Sequence, residues 1–228
     1  MLYLQLILPN CVSRLKYEVI NMTDEEPQTF PDMIERFISK ITQDWSKSSN
    51  QVGLFEMRCL GENRKTVIQR FAPDALHDAV DFAVRMSEVR LNIYMTINPI
   101  DMNASIGAGK GATDTNILRA HYNFADADNA AGHAGLAQLC SLVQPDIVVV
   151  TGQLPYERRH AYWRLREPCE DLSAWATIQK TIANKHKTDK TVSNPSRIMR
   201  VPGTISFPPE RKQARGYVTE IVTLREAW

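Results

Sequence analysis

The chain has 228 residues, of which 43% are hydrophobic, and it carries 27 Lys and Arg residues against 26 Asp and Glu residues. This length and composition suit a globular protein with a full core, built as one domain or as two tightly fused units. The balanced charge excludes a chain that attracts nucleic acid through its overall charge, so any such contact must be local. The four cysteines are far apart with no CxxC pair, which excludes a zinc ribbon and a disulfide framework and favours reduced thiols in a cytoplasm.

The N-terminal segment begins with the apolar run MLYLQLILP. This run is too short to cross a bilayer and lacks the basic residues of a secretion signal, so we expect no contact with a membrane. We expect residues 1–30 to form a poorly ordered extension, with Met22 as a second candidate for the first residue. The sequence then predicts a single domain over residues 31–228.

The first part of this domain, residues 31–116, has the pattern of an α/β unit. Apolar residues recur at helical spacing from Pro31 to Trp45, which predicts an amphipathic helix. The next elements are a β-hairpin formed by VGLFEMRCL and KTVIQRF, a helix within residues 73–89 and a strand over residues 91–97. Asn98-Pro99 closes that strand.

Residues 100–116 are rich in small and polar residues, which predicts a flexible loop or a flap over a site. Within it, GAGKGAT resembles a phosphate-binding loop. A Walker A motif requires Ser or Thr directly after its lysine, whereas Gly111 follows Lys110. We therefore interpret the segment as a flap whose Lys110 is a candidate phosphate contact.

The residue pattern of the second part, residues 117–228, predicts the element order βαββαβ. Its elements are a strand over 121–127, a helix over 131–144, strands over 146–151 and 159–165, a helix over 172–186 and a last strand within 198–224. This is the order of the ferredoxin-like or RNA-recognition-like fold. In that fold the first and third strands are central neighbours, and the fourth strand flanks the first.

The segment FADAD, residues 124–128, contains two aspartates that are candidate metal ligands. Alternate side chains of a strand share a face, so Asp126 and Asp128 point the same way. Two carboxylates this close repel each other, and a divalent cation relieves the repulsion. The motif alone also fits a solvated strand end.

Two further residues strengthen the metal interpretation. In the expected sheet His160 lies on the strand beside Asp126, and Asp189 enters from the other flank. Four arginines near His160 in the sequence suggest an anion-attracting environment, although a core histidine is the alternative. His121 has the wrong parity to share the Asp126 face, and His133 falls on a helix, so we interpret both as structural.

A basic segment extends from Lys180 to Arg215, with nine Lys or Arg residues against two acidic ones. Such a run is usually a solvated face, but this one surrounds Asp189. Arg197 and Arg200 alternate there with apolar residues before the turn at Pro202-Gly203. A basic groove beside a carboxylate site suits a phosphate backbone.

Three of these stretches together resemble the archaeo-eukaryotic primase superfamily, in particular the primase-polymerase domains of plasmid and phage replication proteins, including the RepB type. FADAD resembles the first motif, TGQLPYERRHAYWRL the second and DKTVSNPSRIMRVPGTISFP the third. Likeness extends over roughly residues 50–210. The occurrence of all three in this order is more specific than any one of them.

The resemblance implies an α+β fold in which an N-terminal α/β unit packs against an RNA-recognition-like catalytic unit, with a cleft between them. It implies a DNA-directed primase or polymerase that makes primers on single-stranded DNA in plasmid, phage or mobile-element replication. Nucleoside triphosphates would be its substrates, and a replicative helicase, in cis or in trans, is a further candidate partner.

It also assigns roles to individual residues. Asp126, Asp128 and Asp189 would be catalytic and hold two Mg²⁺ or Mn²⁺ ions, while His160, Arg200 and Thr151 would bind the nucleotide. The secondary candidates for phosphate or nucleic-acid contact are Arg197, Lys110, Arg158 and Lys212. The family pattern places a lysine soon after Gly-Thr, and here none occurs before Lys212.

Other functions fit parts of the pattern. A DxD glycosyltransferase also uses paired aspartates, but it does not explain the strand with His160 or the basic segment. A non-catalytic replication initiator could bind DNA through the same fold, although it has no need of all four site residues. A rolling-circle nuclease requires a His-apolar-His pair, which the sequence lacks.

Overall fold

The fold is described from a computed structural model, which defines residues 29–45, 53–62 and 66–225. The predicted extension therefore lies almost entirely outside the described residues. The helices are α1 (Pro31–Thr42), α2 (Leu76–Glu88), α3 (Ala130–Leu142), α4 (Leu172–His186) and the short α5 (Glu210–Gln213). In the described part of the chain, no helix is both long and apolar enough to cross a lipid bilayer.

A first sheet is built mainly from the N-terminal part of the chain. Its strands are β1 (Gly53–Leu60), β2 (Thr66–Phe71), β3 (Asn92–Thr96), β4 (Ile100–Asp101) and β8 (Ile198–Arg200). The order is β2-β1-β3-β8, all antiparallel, and β4 pairs with β1. The predicted hairpin is thus confirmed as β1 and β2. Helix α2 packs on this sheet with buried residues such as Phe82, and α1 packs on α2.

A second sheet contains β5 (Ala120–Ala127), β6 (Ile147–Gly152), β7 (Arg158–Cys169) and β11 (Thr223–Arg225). Its order is β11-β6-β7-β5, again antiparallel. Alternation along β5 and β7 divides the side chains between two faces. Ala125, Ala161 and Trp163 pack with Leu136 of α3 on one face, while Phe124 belongs to the main core on the other.

The main core is continuous from the first sheet to the second. It joins residues of α1 and β1 to Phe124 and Tyr162, and the ring of Phe37 meets that of Tyr162 edge-on at 5.9 Å. These sheets and helices confirm the predicted α+β class. The division at residue 116 into two units stays a prediction.

The position of the last strand is different from our expectation. The first and third strands of the βαββαβ order, β5 and β7, are neighbours as predicted, but β11 flanks β6 instead of β5. The physical reason is that α4 lies along the open edge of β5, where Trp175 and Gln179 hydrogen-bond to the strand backbone. The chain then crosses to the first sheet as β8, forms the two-stranded pair of β9 (Ile205–Ser206) and β10 (Glu220–Ile221), and only then reaches β6.

Candidate active site

Two carboxylates that are close in the sequence and a third that is distant from them meet at one end of the second sheet. Asp126 lies near the end of β5, Asp128 follows that strand, and Asp189 lies in the loop after α4. Each contributes one oxygen atom to a group in which these atoms lie within 4.8 Å of one another. The backbone N–H of Asp189 donates a 2.8 Å hydrogen bond to the carbonyl of Asp126, which fixes the third carboxylate against the other two.

The cluster suits a hard divalent cation. The Oδ1 atom of Asp126 is buried without a hydrogen-bond partner among the described residues, so a cation would satisfy an atom that is otherwise costly to bury. Partial desolvation and the charge of Asp126 raise the pKa of Asp128, although that side chain remains accessible to solvent. Bound cations would favour its ionised form. Carboxylate oxygens are the ligands that Mg²⁺, Mn²⁺ and Ca²⁺ prefer.

His160 lies directly opposite Asp126 on β7, the strand beside β5. Its Nε2 is 3.5 Å from Oδ2 of Asp126, and its Nδ1 is 3.2 Å from the hydroxyl of Tyr162. Burial and the charge of Asp126 raise the pKa of Tyr162, so this hydroxyl stays protonated and can donate to Nδ1. Nε2 is the ring nitrogen that faces the carboxylates.

Arg200 lies on the first sheet, across a pocket from the carboxylates. Its guanidinium donates to Oδ1 of Asn92 and to the hydroxyl of Tyr94, both at 2.7 Å, and stacks 4.7 Å from the centre of the Tyr94 ring. Strands β3 and β8 bring these side chains together because Tyr94 and Arg200 are paired in the sheet. These contacts hold the guanidinium in one orientation while leaving donors for an anion.

A pocket of about 490 Å³ connects these groups. The second sheet contributes Asp126, Asp128, Thr151, Arg158 and His160, and the first sheet contributes Asn92, Tyr94 and Arg200. The segment after β9 completes the wall with Pro208, Pro209, Arg211, Lys212, Tyr217 and Val218. Carboxylates therefore lie at one end of the pocket, and several arginine and lysine side chains line the rest of it. This arrangement suits a metal-bound polyphosphate.

Arg158 reaches this pocket but is already paired. It is 5% exposed, donates at 3.0 Å to the Glu220 carboxylate and bonds the carbonyls of Leu154 and Tyr156. The positive charge that is available to an anion near His160 is therefore smaller than the sequence suggests. Arg164 turns away to pair with Asp44 at 2.6 Å.

Lys212 faces the carboxylates from α5. Its charge lowers the pKa of Asp128 against the larger raising effect of desolvation, which places the ammonium within electrostatic range of the cluster. It also lies 5.2 Å from the ring centre of Tyr217. Arg211, which sequence reasoning missed, lines the same pocket.

Three predicted residues, Asp189, Arg197 and Lys110, are not part of the pocket lining. Arg197 follows the loop that contains Asp189, and Lys110 is exposed on the flap, where its carbonyl accepts a hydrogen bond from Arg70. His121 is buried, and burial together with the nearby Arg119 lowers its pKa to about 4. His133 lies on α3, 3.5 Å from Glu157. Neither histidine belongs to the carboxylate cluster.

Several site residues were missing from the sequence prediction. Asn92 and Tyr94 share a face of β3 by simple alternation, but only their pairing with β8 reveals that they orient Arg200. Glu220, the partner of Arg158, lies in a segment that gave no local signal.

Comparison with solved structures gives matches to primase folds, each at probability 1.00. The AEP domain of the cyanophage S-2L primase-polymerase (PrimPol) matches with a TM-score of 0.60 and 19% identity, over 89% of this chain and 92% of that one. The structure of primase RepB' matches with a TM-score of 0.54 and 12% identity, over 85% of this chain and 56% of that one. The catalytic domain of primase RepB' in complex with initiator DNA matches with a TM-score of 0.51 and 13% identity, over 86% and 85%.

These likenesses establish that the chain has the fold of primase-polymerase catalytic domains, as the sequence resemblance predicts. No protein-family model matches the sequence, and no curated protein matches it.

Proposed function

We propose that this domain is a DNA-directed primase or polymerase that makes primers on single-stranded DNA by two-metal nucleotidyl transfer, in plasmid, phage or mobile-element replication. The observation that carries the proposal is a cluster of three carboxylates, two of which, Asp126 and Asp128, line a pocket together with His160, opposite an oriented arginine. The fold shared with primase-polymerases supports it. A neighbour solved with initiator DNA supports a DNA template as the partner.

Asp126, Asp128 and Asp189 would hold two Mg²⁺ or Mn²⁺ ions in this proposal. Bound there, the ions would lower the pKa of an attacking 3'-hydroxyl and neutralise the triphosphate. The side chains of the chain itself have to hold the substrate in line, because phosphoryl transfer depends mainly on position and charge. The backbone hydrogen bond from Asp189 to Asp126 would hold these two ligands in a fixed position relative to each other.

The nucleotide would be bound by side chains from two opposite walls of the pocket. His160 would donate from Nε2 to a phosphate oxygen, and Thr151 lines the same pocket. Arg200 would offer its remaining donors from the opposite wall, while Lys212 adds charge near Asp128. Arg158 contributes less net charge because Glu220 neutralises it.

The template strand would follow basic residues outside the pocket. Arg197 and Lys110 are our candidates for contact with its backbone, which needs charge but no defined pocket. A replicative helicase, in cis or in trans, remains the proposed further partner.

The test is synthesis on single-stranded template with labelled nucleotides, with and without a primer, in Mg²⁺ and in Mn²⁺. We expect product from the wild type and at least about a 100-fold loss in Asp126→Ala/Asp128→Ala, the order seen when electrostatic stabilisation of a reacting group is removed. Asp81→Ala/Glu88→Ala removes two exposed acidic groups of α2 and should retain activity. Equal product from both double variants would refute the enzymatic proposal. Template binding without synthesis by any form would indicate the non-catalytic initiator instead.

A further inference from the structure

The open edge of β5 has backbone groups that no neighbouring strand pairs in the described structure. Side chains of α4 bond to these backbone groups where a neighbouring strand would otherwise lie. Nε1 of Trp175 donates to the carbonyl of Tyr122 at 3.1 Å, and Nε2 of Gln179 donates to the carbonyl of Phe124 at 2.9 Å. Oε1 of Gln179 also accepts from the N–H of Phe124 at 3.3 Å. The Gln179 carboxamide thus replaces the peptide group of a missing strand.

The same edge continues to the metal cluster. Two residues beyond Phe124, the carbonyl of Asp126 accepts from the N–H of Asp189. Hydrogen bonds therefore reach this edge at three successive outward-facing residues: Tyr122, Phe124 and Asp126. All three donors come from α4 or the loop that follows it.

The geometry of helix and strand makes this match possible. Residues four apart on an α-helix are separated by about 6 Å along its axis. Residues two apart on a strand are separated by about 6.8 Å. The pair of Trp175 and Gln179 therefore has nearly the spacing of Tyr122 and Phe124, so both side chains can bond the strand backbone at once in this register.

The end of α4 is fixed from a second side. A Cβ atom added at Gly135 of α3 would lie 1.7 Å from the carbonyl oxygen of His186, the last residue of α4. Helix α3 begins two residues after Asp128, so it connects the end of α4 to the second carboxylate. Asp189 follows three residues after this contact.

We propose that Gln179 is a positioning residue for the metal cluster: by fixing the register of α4 on β5, it sets the place of Asp189 against Asp126 and Asp128. The inference rests on the proposed metal site. Gln179 is 1% exposed and its side-chain hydrogen bonds go to the backbone of Phe124, so it acts through the backbone and does not touch the ligand itself.

The test compares metal affinity with stability. Gln179→Met keeps the volume and removes both hydrogen bonds. We expect Mn²⁺ affinity, measured by calorimetry or electron paramagnetic resonance, to fall by about tenfold, the lower end for groups that orient metal ligands. Amide exchange at Phe124 and Asp189 should accelerate in the metal-free protein. Phe82→Leu, in the core under the first sheet, should lower the unfolding temperature without changing Mn²⁺ affinity.

Trp175→Phe provides a milder second variant if Gln179→Met folds poorly. It keeps the ring that packs edge-on against Phe124, removes the bond to Tyr122, and should weaken Mn²⁺ binding less than Gln179→Met does. Mn²⁺ affinity of Gln179→Met equal to that of the wild type, with Asp126→Asn binding less, would overturn this inference alone. Wild-type protein that binds no more Mn²⁺ than Asp126→Asn would refute the metal site, and both proposals with it.

Discussion

Glu56 should be one of the most sensitive single positions in the protein. Its side chain is fully buried on β1, where its carboxylate pairs with Arg58, pairs with Arg70 at 2.6 Å and accepts from the N–H of Ala112 at 3.0 Å. These contacts attach the flap to the first sheet, since Arg58 also bonds the carbonyl of Ala112. Loss of this carboxylate therefore affects both stability and the flap.

Glu56→Gln keeps the shape and removes the charge. Each hydrogen bond to a charged group contributes about 1.5–3 kcal/mol. The two guanidinium side chains are 21% and 26% exposed, so water compensates part of the loss. We expect the free energy of unfolding to fall by about 3 kcal/mol, within the range for a broken buried pair, and the unfolding temperature by about 6–12 °C.

Denaturant unfolding measures this change, and amide exchange at Ala112 reports the release of the flap. Glu35→Gln on the exposed face of α1 is the charge-matched control and should change stability by less than about 0.5 kcal/mol. Adding Arg70→Met to Glu56→Gln should cost less than the sum of the two single changes. A loss below about 1 kcal/mol with unchanged exchange at Ala112 would refute the anchoring role.

Two further predictions concern buried charge. Glu220→Ala leaves Arg158 without its counter-charge and should cost about 3–5 kcal/mol, and Glu220→Ala/Arg158→Met should recover part of it; equal losses would contradict the buried pair. His121 has a pKa of about 4 when folded and about 6.5 when unfolded, so the unfolded chain binds more protons between these values. Stability should therefore fall by up to about 3 kcal/mol as the pH drops from 6.5 to 4, and His121→Asn should flatten this part of a denaturant-derived pH profile. An unchanged profile in that variant would show that another group is responsible.

Local patterns in the sequence were sufficient to predict most of the helices and strands, and to predict which side chains of β5 and of β7 share a face at the site. Alternation alone put Asp126 on the same face as Asp128 and His160 on the same face as Tyr162, because a strand has one strict period. The apolar spacing in α1 predicted its buried residues, including Ile34 and Phe37.

Long-range pairing is what the sequence could not supply. The partner of Tyr94 is Arg200, more than a hundred residues away, and three residues of β8 give no periodic signal of their own. Gln179 in an amphipathic helix and Glu56 in a strand both look like surface residues, because burial of a polar group depends on partners from elsewhere in the fold. For the same reason, the position of β11 beside β6 was not predicted.

The route of β8 also has a consequence for synthesis of the chain. The first sheet receives this strand only after the second sheet's β5, β6 and β7 have been made. A nascent chain that ends before residue 198 therefore leaves the edge of β3 exposed, with Met95 lacking its neighbour Met199. Folding of the N-terminal part on the ribosome cannot finish ahead of the rest, as it does in proteins whose domains complete in order. Closure of the first sheet and assembly of the pocket should then be one late, cooperative event.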